Sequence, residues 1–384
     1  MSNLPRDLTE EVLCRVPFIC LRTVRATCKK WNTLSKDLSF VKKHVACQAK
    51  SAAAVASVRE FMVVVMMDYR VYLMSIYLHN DDVESCIKPQ GKLICLDDEV
   101  DDISQVFHCD GLLLCITKYN IRLTVWNPYW GIIRQIEPTH NFHILERYSY
   151  ALGYDKSSKS YKILMFVDFV YPEIDFKIYD FNSDSWRVLD VTLQDWSISE
   201  FNLGVSLKGN TYWFASENYS ETSETYVDDF LVCFDFTSET FGPRLPLPVY
   251  EYPYNVSLSI VREEQLALLY QPWDDTSHIE IWITTKIEPN TVSWNSKVFL
   301  TANIQQLIHP QFQFTNASFF IHEEKKVAVV FDKGKLKNCF NTRYNRAYIF
   351  GVDGSLKEVD LVECANSMCY PRVCSYVPSS VQLN

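Results

Sequence analysis

The sequence predicts a mainly β protein that begins with a small α-helical module. Over the first 45 residues, apolar side chains recur at helical spacing. Beyond about residue 58 the pattern changes to the alternation of strands, and aromatic residues make up 14% of the chain, which suits a strand-rich body. A strand–turn–aromatic pattern then recurs with a period near fifty residues. At 384 residues, the chain can hold the module and one large domain.

The helical module should contain three helices. In the first helix, one apolar stripe is formed by Leu8, Val12, Leu13 and Val16. Asp7 with Glu10 predicts a capping box at its start, and Pro17 ends it. A second helix is expected over Leu21–Ala26, and a third should begin near Cys28 and carry Trp31 and Leu34.

The repeat predicts the architecture of the body. Phe176–Phe181 precedes four polar residues and Trp186, and Val232–Phe236 precedes four polar residues and Phe241. Related strand ends follow one another at intervals of 50, 53, 55, 48 and 69 residues, starting from Tyr77. This period is typical of kelch-like blades. The sequence therefore predicts a β-propeller of about six four-stranded blades, with a pair of β-sandwiches as the competing architecture.

The two ends of the chain should meet in one blade. The first unit, Arg59–Leu96, lacks a candidate for its innermost strand, and Arg372–Pro378 can supply it. A C-terminal strand in the N-terminal blade would close the ring. The predicted organisation is then a helical module over 1–45, a helical linker over 46–58 and the propeller over 59–384.

Composition restricts the classes of protein. No apolar run approaches the length of a membrane span, and no signal-peptide core is seen at the N-terminus. The 13 cysteines are expected to be free thiols in a reducing compartment, which indicates the cytoplasm or nucleus. Residues 1–50 hold 10 Lys and Arg against 4 Asp and Glu, whereas the whole chain has a net charge of −10. A basic module suits an acidic protein partner; nucleic acid is the alternative, but the acidic remainder would repel phosphate.

The module resembles an F-box. The similar residues are Leu4-Pro5, Asp7-Leu8, Leu13-x-Arg15-Val16-Pro17, Leu21-x-x-Val24-Arg25 and Cys28-Lys29-x-Trp31. The resemblance implies docking onto a Skp-type adaptor of a cullin ubiquitin ligase, and a helical cap packed on the propeller is the alternative. The side chains that the resemblance assigns to adaptor binding are Leu4, Pro5, Leu8, Val12, Leu13, Val16, Pro17, Leu21, Val24 and Trp31.

The body is similar to plant F-box-associated domains. The motifs occur in the family's order: Cys109-Asp110-Gly111-Leu112-Leu113-Leu114-Cys115, Val125-Trp126-Asn127-Pro128, Leu152-Gly153-Tyr154-Asp155 and Tyr161-Lys162. The resemblance implies the substrate-recognition subunit of an SCF-type ligase, which binds a target protein through its propeller. Through the adaptor it would join cullin and RING subunits, and the RING subunit would carry the transfer chemistry.

The sequence offers little for catalysis, so we expect no enzymatic activity, cofactor or metal. It has no Gly-x-Ser-x-Gly elbow and no glycine-rich phosphate loop. His140, His143 and Glu146 could be drawn as a metal trio, but a solvated loop is favoured. The same holds for the acidic run from Asp97 to Asp102, which lacks the spaced ligands of a calcium loop.

Three long polar segments are candidates for contacting a target: Glu217–Asp229, Tyr270–His278 and Lys333–Arg346. Two rival functions remain. A propeller hydrolase or oxidase would need convergent ligands on the ring axis. A carbohydrate-binding protein would need exposed stacking platforms, for which the candidates are Trp130, Trp196 and Trp273.

Overall fold

The fold was analysed in a computed structural model of the chain. The residues it describes are 4–16, 18–37, 39–41, 43–44, 47, 58–79, 86–92, 102–118, 122–139, 148–167, 176–191, 195–198, 203–218, 228–249, 253–305, 307, 317–333, 343–364 and 369–382. Within these ranges, none of the helices is both long enough and apolar enough to span a lipid bilayer.

The N-terminal module consists of three helices, α1 (Arg6–Cys14), α2 (Phe18–Thr27) and α3 (Lys29–Leu34), and residues 39–41 and 43–44 are also helical. The predicted capping box is wrong: Pro5 is the N-cap of α1 and makes no side-chain cap hydrogen bond. Glu10 instead forms ion pairs with Arg6 at 3.0 Å and Lys43 at 3.1 Å. The α3 start lies where the sequence predicted it, because the Cys28 Sγ accepts a hydrogen bond from the Trp31 N–H at 3.4 Å.

The body is built from 26 strands, as far as the structure describes it. Blade 1 begins with β1 (Val58–Met67), β2 (Arg70–His79) and β3 (Cys86–Lys92). Blade 2 contains β4 (Ile103–Cys109), β5 (Leu112–Thr117), β6 (Leu123–Asn127) and β7 (Ile132–Ile136). Blade 3 contains β8 (Tyr148–Tyr154), β9 (Tyr161–Val167), β10 (Phe176–Asp180) and β11 (Ser185–Leu189).

The second half of the ring follows the same order. Blade 4 contains β12 (Trp196–Ser197), β13 (Val205–Leu207), β14 (Asn210–Glu217), β15 (Asp229–Asp235) and β16 (Thr240–Phe241). Blade 5 contains β17 (Pro253–Val261), β18 (Gln265–Pro272), β19 (His278–Glu288), β20 (Thr291–Trp294) and β21 (Leu300–Asn303). Blade 6 contains β22 (Ser318–His322), β23 (Val327–Lys333), β24 (Arg343–Gly351) and β25 (Leu356–Cys364), and the last strand is β26 (Arg372–Ser375).

The six sheets confirm the propeller and exclude the pair of sandwiches. The C-terminal strand β26 pairs antiparallel with β1, from Met66↔Arg372 to Val63↔Ser375, so both chain ends build blade 1 as predicted. The sheets of blades 4 and 5 each have five strands rather than four. Six apolar clusters fill the spaces between neighbouring blades, one at each interface. Each sheet therefore buries its two faces against its neighbours.

Serine hydroxyls join the inner strands of consecutive blades. The Ser257 and Ser259 hydroxyls of blade 5 donate to the carbonyl oxygens of Ala317 and Phe319, each at 2.6 Å. The Ser318 hydroxyl of blade 6 donates to the Val373 carbonyl of β26 at 2.9 Å. These bonds satisfy carbonyl oxygens that no strand of the same blade reaches, so they fix the inner strands around the ring axis.

The ring has two different faces, because successive antiparallel strands alternate in direction. The hairpins that join the first to the second strand of a blade lie on one face and are short. In two of them both turn residues have positive φ: 49° and 76° at Asp110 and Gly111, and 52° and 82° at Lys208 and Gly209. We call this face the tight-turn face.

The opposite face carries the hairpins between second and third strands and the connections from one blade to the next. In blade 6, for example, β23 ends at Lys333 and β24 begins at Arg343, so nine residues join them at this face. The corresponding turns of blades 1 and 2 meet there, where Lys118 Nζ lies 4.6 Å from the centre of the Tyr69 ring. We call it the loop face.

Candidate partner-binding surface

Two apolar side chains of α1 are exposed on the N-terminal module. Leu8 is 45% exposed and Val12 is 46% exposed, and they lie one helical turn apart on the same side of the helix. Pro5 is exposed just before them, and Leu4 is half-buried. Leu4, Pro5, Leu8 and Val12 therefore form an apolar strip, which we call the α1 patch. An exposed apolar strip of this kind is a candidate contact surface for another protein.

Of the other predicted contact residues that the structure describes, two are buried and three are half-buried. Leu13 is 0% exposed and packs with Cys14, Leu34 and Phe40 in the core of the module. The half-buried side chains packed against this core include Val16, Val24 and Trp31. Leu21 is also 0% exposed, and Pro17 lies outside the described residues. In this arrangement Leu13 and Leu21 stabilise the module and are not available to a partner.

The module is docked on the propeller through an apolar contact. Leu21 of α2 and Val41 belong to the same buried cluster as Val64, Met66 and Trp126, which fills the space between blades 1 and 2. The helical module is therefore also packed on the ring, as the alternative reading of the sequence proposed. The α1 patch nevertheless stays exposed on the outer side of the module.

Polar contacts fix the orientation of this docking. The Arg25 guanidinium donates to the carbonyl oxygens of Tyr129 and Trp130 at 3.3 and 3.2 Å and lies 5.1 Å from the Trp130 ring centre. His44 Nε2 lies 2.8 Å from the Val16 carbonyl oxygen, and its Nδ1 lies 3.2 Å from the Tyr129 hydroxyl. If Nε2 carries the proton, the ring donates to Val16 and accepts from Tyr129.

Burial shifts the titration of these groups. It lowers the pKa of Arg25 and of His44, and it raises the pKa of the Tyr129 hydroxyl. The lowered pKa favours the neutral form of His44, which can accept a hydrogen bond from the Tyr129 hydroxyl. The module and the turn after β6, which ends at Asn127, are thus joined by one buried cation and neutral hydrogen-bonding groups.

Sequence reasoning missed this junction. Asn127 was read as part of a structural motif, and its Oδ1 does accept from the Tyr129 N–H at 2.9 Å, which shapes the turn. Arg25, however, reaches a turn more than a hundred residues away, and nothing in its local sequence indicates that turn. The Trp-Asn-Pro-Tyr-Trp string indicates an ordered turn, but it does not indicate that Arg25 of the module packs on this turn.

Replacing Arg25 by glutamine is expected to loosen the module on the ring. Arg25 donates to the Tyr129 and Trp130 carbonyls and also to Ser35 inside the module. Loss of the two bonds to the ring should cost about 1–2 kcal/mol, equivalent to roughly 5–30-fold faster amide exchange in the turn at Tyr129 as well as in α1 and α3. Hydrogen exchange with mass spectrometry measures this. Arg6→Gln is the matched control, because Arg6 is exposed and forms ion pairs with Glu10 and Asp37 inside the module. Equal exchange in both variants would refute the junction.

The module carries an excess of basic residues, although Asp7, Glu10 and Glu11 lie on α1 itself. Lys29, Lys30 and Lys36 are exposed on the module, and Arg15 is exposed at the end of α1, where it pairs with Glu11 at 2.6 Å. Lys43 and Arg6 flank Glu10. Positive charge around an apolar strip favours a partner whose own surface is apolar and acidic.

The three candidate target-contacting segments all join strands at the loop face. Two of them are described only at their ends, because residues 219–227 and 334–342 lie outside the described residues. The third, Tyr270–His278 in blade 5, is described throughout. There β18 extends to Pro272, and the connection is therefore shorter than the sequence predicted. Trp273 is 62% exposed beside Asp274 and Asp275. The module contacts the turn at Tyr129, which lies on the tight-turn face, so these segments are on the opposite side of the ring.

Two of the proposed stacking tryptophans are not platforms. Trp130 is buried beneath Arg25, and Trp196 is half-buried against Phe230 and Phe241, with ring centres 6.1 and 5.3 Å apart. Each packs as part of an interface, so neither supports the carbohydrate-binding alternative. Trp273 alone of the three is exposed.

The described residues contain no group of three or more His, Cys, Asp or Glu side chains that could hold a metal ion. The sites drawn at His140–Glu146 and Asp97–Asp101 lie outside the described residues. Cys115 and Cys233 are buried, and burial raises the pKa of the Cys233 thiol to about 12. A thiol with such a pKa is a poor nucleophile at neutral pH.

Comparison with known proteins matches both parts of the chain. Residues 1–43 match the F-box domain, and residues 62–383 match the F-box associated beta propeller domain. An F-box protein of Arabidopsis thaliana is 60% identical over 399 residues, which cover 100% of both chains. A putative F-box protein from the same plant is 58% identical over 99% of each chain, and an F-box/kelch-repeat protein is 51% identical over 100% of this chain and 99% of its own.

Proposed function

Because the chain belongs to the F-box proteins that carry an F-box associated β-propeller domain, we propose that it is the substrate-recognition subunit of an SCF-type (Skp–cullin–F-box) E3 ubiquitin ligase. The F-box would bind a Skp-type adaptor and, through it, cullin and RING subunits. The propeller would bind a target protein and so lead to its ubiquitination. This role places the protein in the cytoplasm, the nucleus or both.

The observation that carries the proposal is the exposure of the α1 patch on a module with its own small core. Leu13, Leu34 and Phe40 hold the helices together, whereas Leu8 and Val12 remain outside. A folded module can therefore present these side chains without rearrangement. We propose that Leu8 and Val12, with Leu4 and Pro5, contact the adaptor, and that Leu13, Leu21, Val16, Val24 and Trp31 support the surface from inside.

The two faces of the ring suggest how the receptor is arranged. The F-box docks beside the tight-turn face at Tyr129, and the long connections meet the loop face on the other side. We propose that the loop face holds the target, where Trp273 is one exposed contact residue. The chain would then act by proximity: it holds adaptor and target at a fixed separation while a RING-bound enzyme transfers ubiquitin.

Co-expression of the full chain with a Skp-type adaptor tests the proposal. The two proteins should elute together in size-exclusion chromatography as a one-to-one complex, and the complex should assemble with cullin and RING subunits. A folded chain that elutes alone in the presence of excess adaptor would reject the receptor role. Proximity labelling in plant cells under proteasome inhibition would then identify the target.

A further inference from the structure

The propeller contains a cavity of about 430 Å³ at its axis. Its wall is formed by the inner strands of blades 1, 2, 4, 5 and 6, which are β26, β4, β13, β17 and β22. Several residues of these strands are only half-buried although they lie at the centre of the ring, among them Val205, Leu258 and Val373. The axis is therefore open to molecules of solvent size, and its volume is within the range of small-molecule sites.

Most of the cavity wall is apolar. Val106, Phe107, Val256 and Leu258 line it, together with Val373 of the closing strand. The hydroxyls of Ser257 and Ser259 also lie in the wall, but they donate to carbonyl oxygens of blade 6. The polar groups of this part of the wall are thus already satisfied, and the space suits the apolar body of a ligand.

The charged groups of the wall are two arginines and one glutamate, in a chain whose net charge is −10. Arg262 and Glu263 lie in the first turn of blade 5, at the tight-turn face, and Arg262 pairs with Glu323 at 2.8 Å. Arg372 begins β26 at the other end of the cavity. Arg262 is thus matched by Glu323, which leaves Arg372 and Glu263 as charged groups at opposite ends of the cavity.

Arg372 is the cation that the cavity encloses. Burial lowers its pKa to about 10, which leaves the guanidinium charged at neutral pH, and the charge of the buried Asp332 carboxylate opposes this shift. His108, also in the wall, adds no charge: burial lowers its pKa to about 4, and its Nε2 accepts from the Gly111 N–H at 3.1 Å. A guanidinium has five N–H donors in a planar fork, which suits it to pair with the carboxylate of a ligand.

We propose that this axial cavity binds one small organic anion, with an apolar body against the inner strands and a carboxylate that pairs with Arg372. Such a site lies apart from the α1 patch, so the chain could bind a small molecule and the adaptor at the same time. A bound molecule would also contact five of the six blades, and it should therefore stabilise the closed ring.

Two fluorescent probes of similar size test the proposal. Dansylglycine carries a carboxylate on an apolar body, and dansylamide is its neutral counterpart. Dansylglycine should bind the full chain with a stoichiometry of one and at least tenfold more tightly than dansylamide, measured by fluorescence titration. Absence of saturable dansylglycine binding, or equal affinity for both probes, would overturn the proposal.

Three variants locate the site. Arg372→Gln should remove the preference for dansylglycine, whereas Arg6→Gln, on the helical module and outside the cavity wall, should change the affinity less than threefold. Val256→Trp should fill the cavity and weaken both probes. Melting curves identify any variant that fails to fold, and the comparison of the two probes on the unaltered chain stands without the variants. Unchanged dansylglycine binding by folded Arg372→Gln would place the probe elsewhere and refute the site.

Discussion

Removing every residue after Tyr370 is expected to unfold the whole propeller rather than shorten its end. The deletion takes away β26, which is the inner strand of blade 1 and pairs with β1 at four positions. It would leave the edge of β1 without its partner and would break the contact between blades 6 and 1. A closed ring has no free inner edge, so opening it affects all six interfaces.

The expected size of this effect follows from what the strand buries. Val373 packs against the cluster between blades 6 and 1, and Cys374 and Tyr376 pack against the cluster between blades 1 and 2. Burying each such side chain is worth about 1.5–3 kcal/mol, and the hydrogen bonds to β1 and Ser318 are lost as well. The total of more than about 5 kcal/mol is comparable to the whole stability of a typical domain.

Thermal denaturation followed by circular dichroism measures the effect against two control truncations. A chain ending at Gln382 loses only two residues and should melt as the full chain does. A chain ending at Val377 keeps β26 but loses the hydrogen bonds from the Asn127 side chain to the Ser379 and Val381 carbonyls, so it should melt only slightly lower. The chain ending at Tyr370 should be insoluble or melt without cooperativity. If the chains ending at Gln382, Val377 and Tyr370 all melted at the same temperature, the ring would not depend on its closing strand.

The closing strand could be predicted from sequence because the repeat itself required it. The first unit offered no inner strand, and an unassigned strand-like segment remained at Arg372. The strand before the first polar turn was likewise predicted closely: the sequence indicated Phe176–Phe181 and the structure has Phe176–Asp180, because the pattern of apolar side chains reports directly on a strand whose two faces are buried. The propeller is thus encoded largely by local patterns that recur.

The surface of the helical module could be predicted only in part. Helical spacing places Leu8, Val12 and Leu13 in one apolar stripe, but it does not say which side of the stripe meets the module core and which side meets solvent. In the structure Leu13 lies inside, where it packs with Cys14, Leu34 and Phe40 in the core of the module, and Val12 lies outside in contact with solvent. The Arg25 contact depends on a turn that is distant in the chain, so no local pattern could reveal it.

Replacing Leu8 and Val12 together by aspartate is expected to abolish adaptor binding while the fold survives. Both side chains are nearly half exposed, and neither belongs to the core formed by Leu13, Cys14, Leu34 and Phe40. Burying a leucine and a valine at an interface contributes about 1.5–3 kcal/mol each, and a carboxylate in either place would be desolvated without a partner. The affinity for a Skp-type adaptor should therefore fall at least about a hundredfold.

Isothermal titration calorimetry with purified adaptor, together with melting curves, separates loss of contact from loss of fold. Val188→Asp is the matched control: Val188 is 64% exposed on β11 of the propeller, and its replacement should leave both binding and melting unchanged. Leu13→Ala should instead lower the melting temperature, because it opens a cavity in the core of the module. If the double variant keeps its affinity, the α1 patch is not the contact surface. If the double variant loses affinity and its melting temperature falls as far as that of Leu13→Ala, Leu8 and Val12 are structural residues. The adaptor must then bind another side of the module.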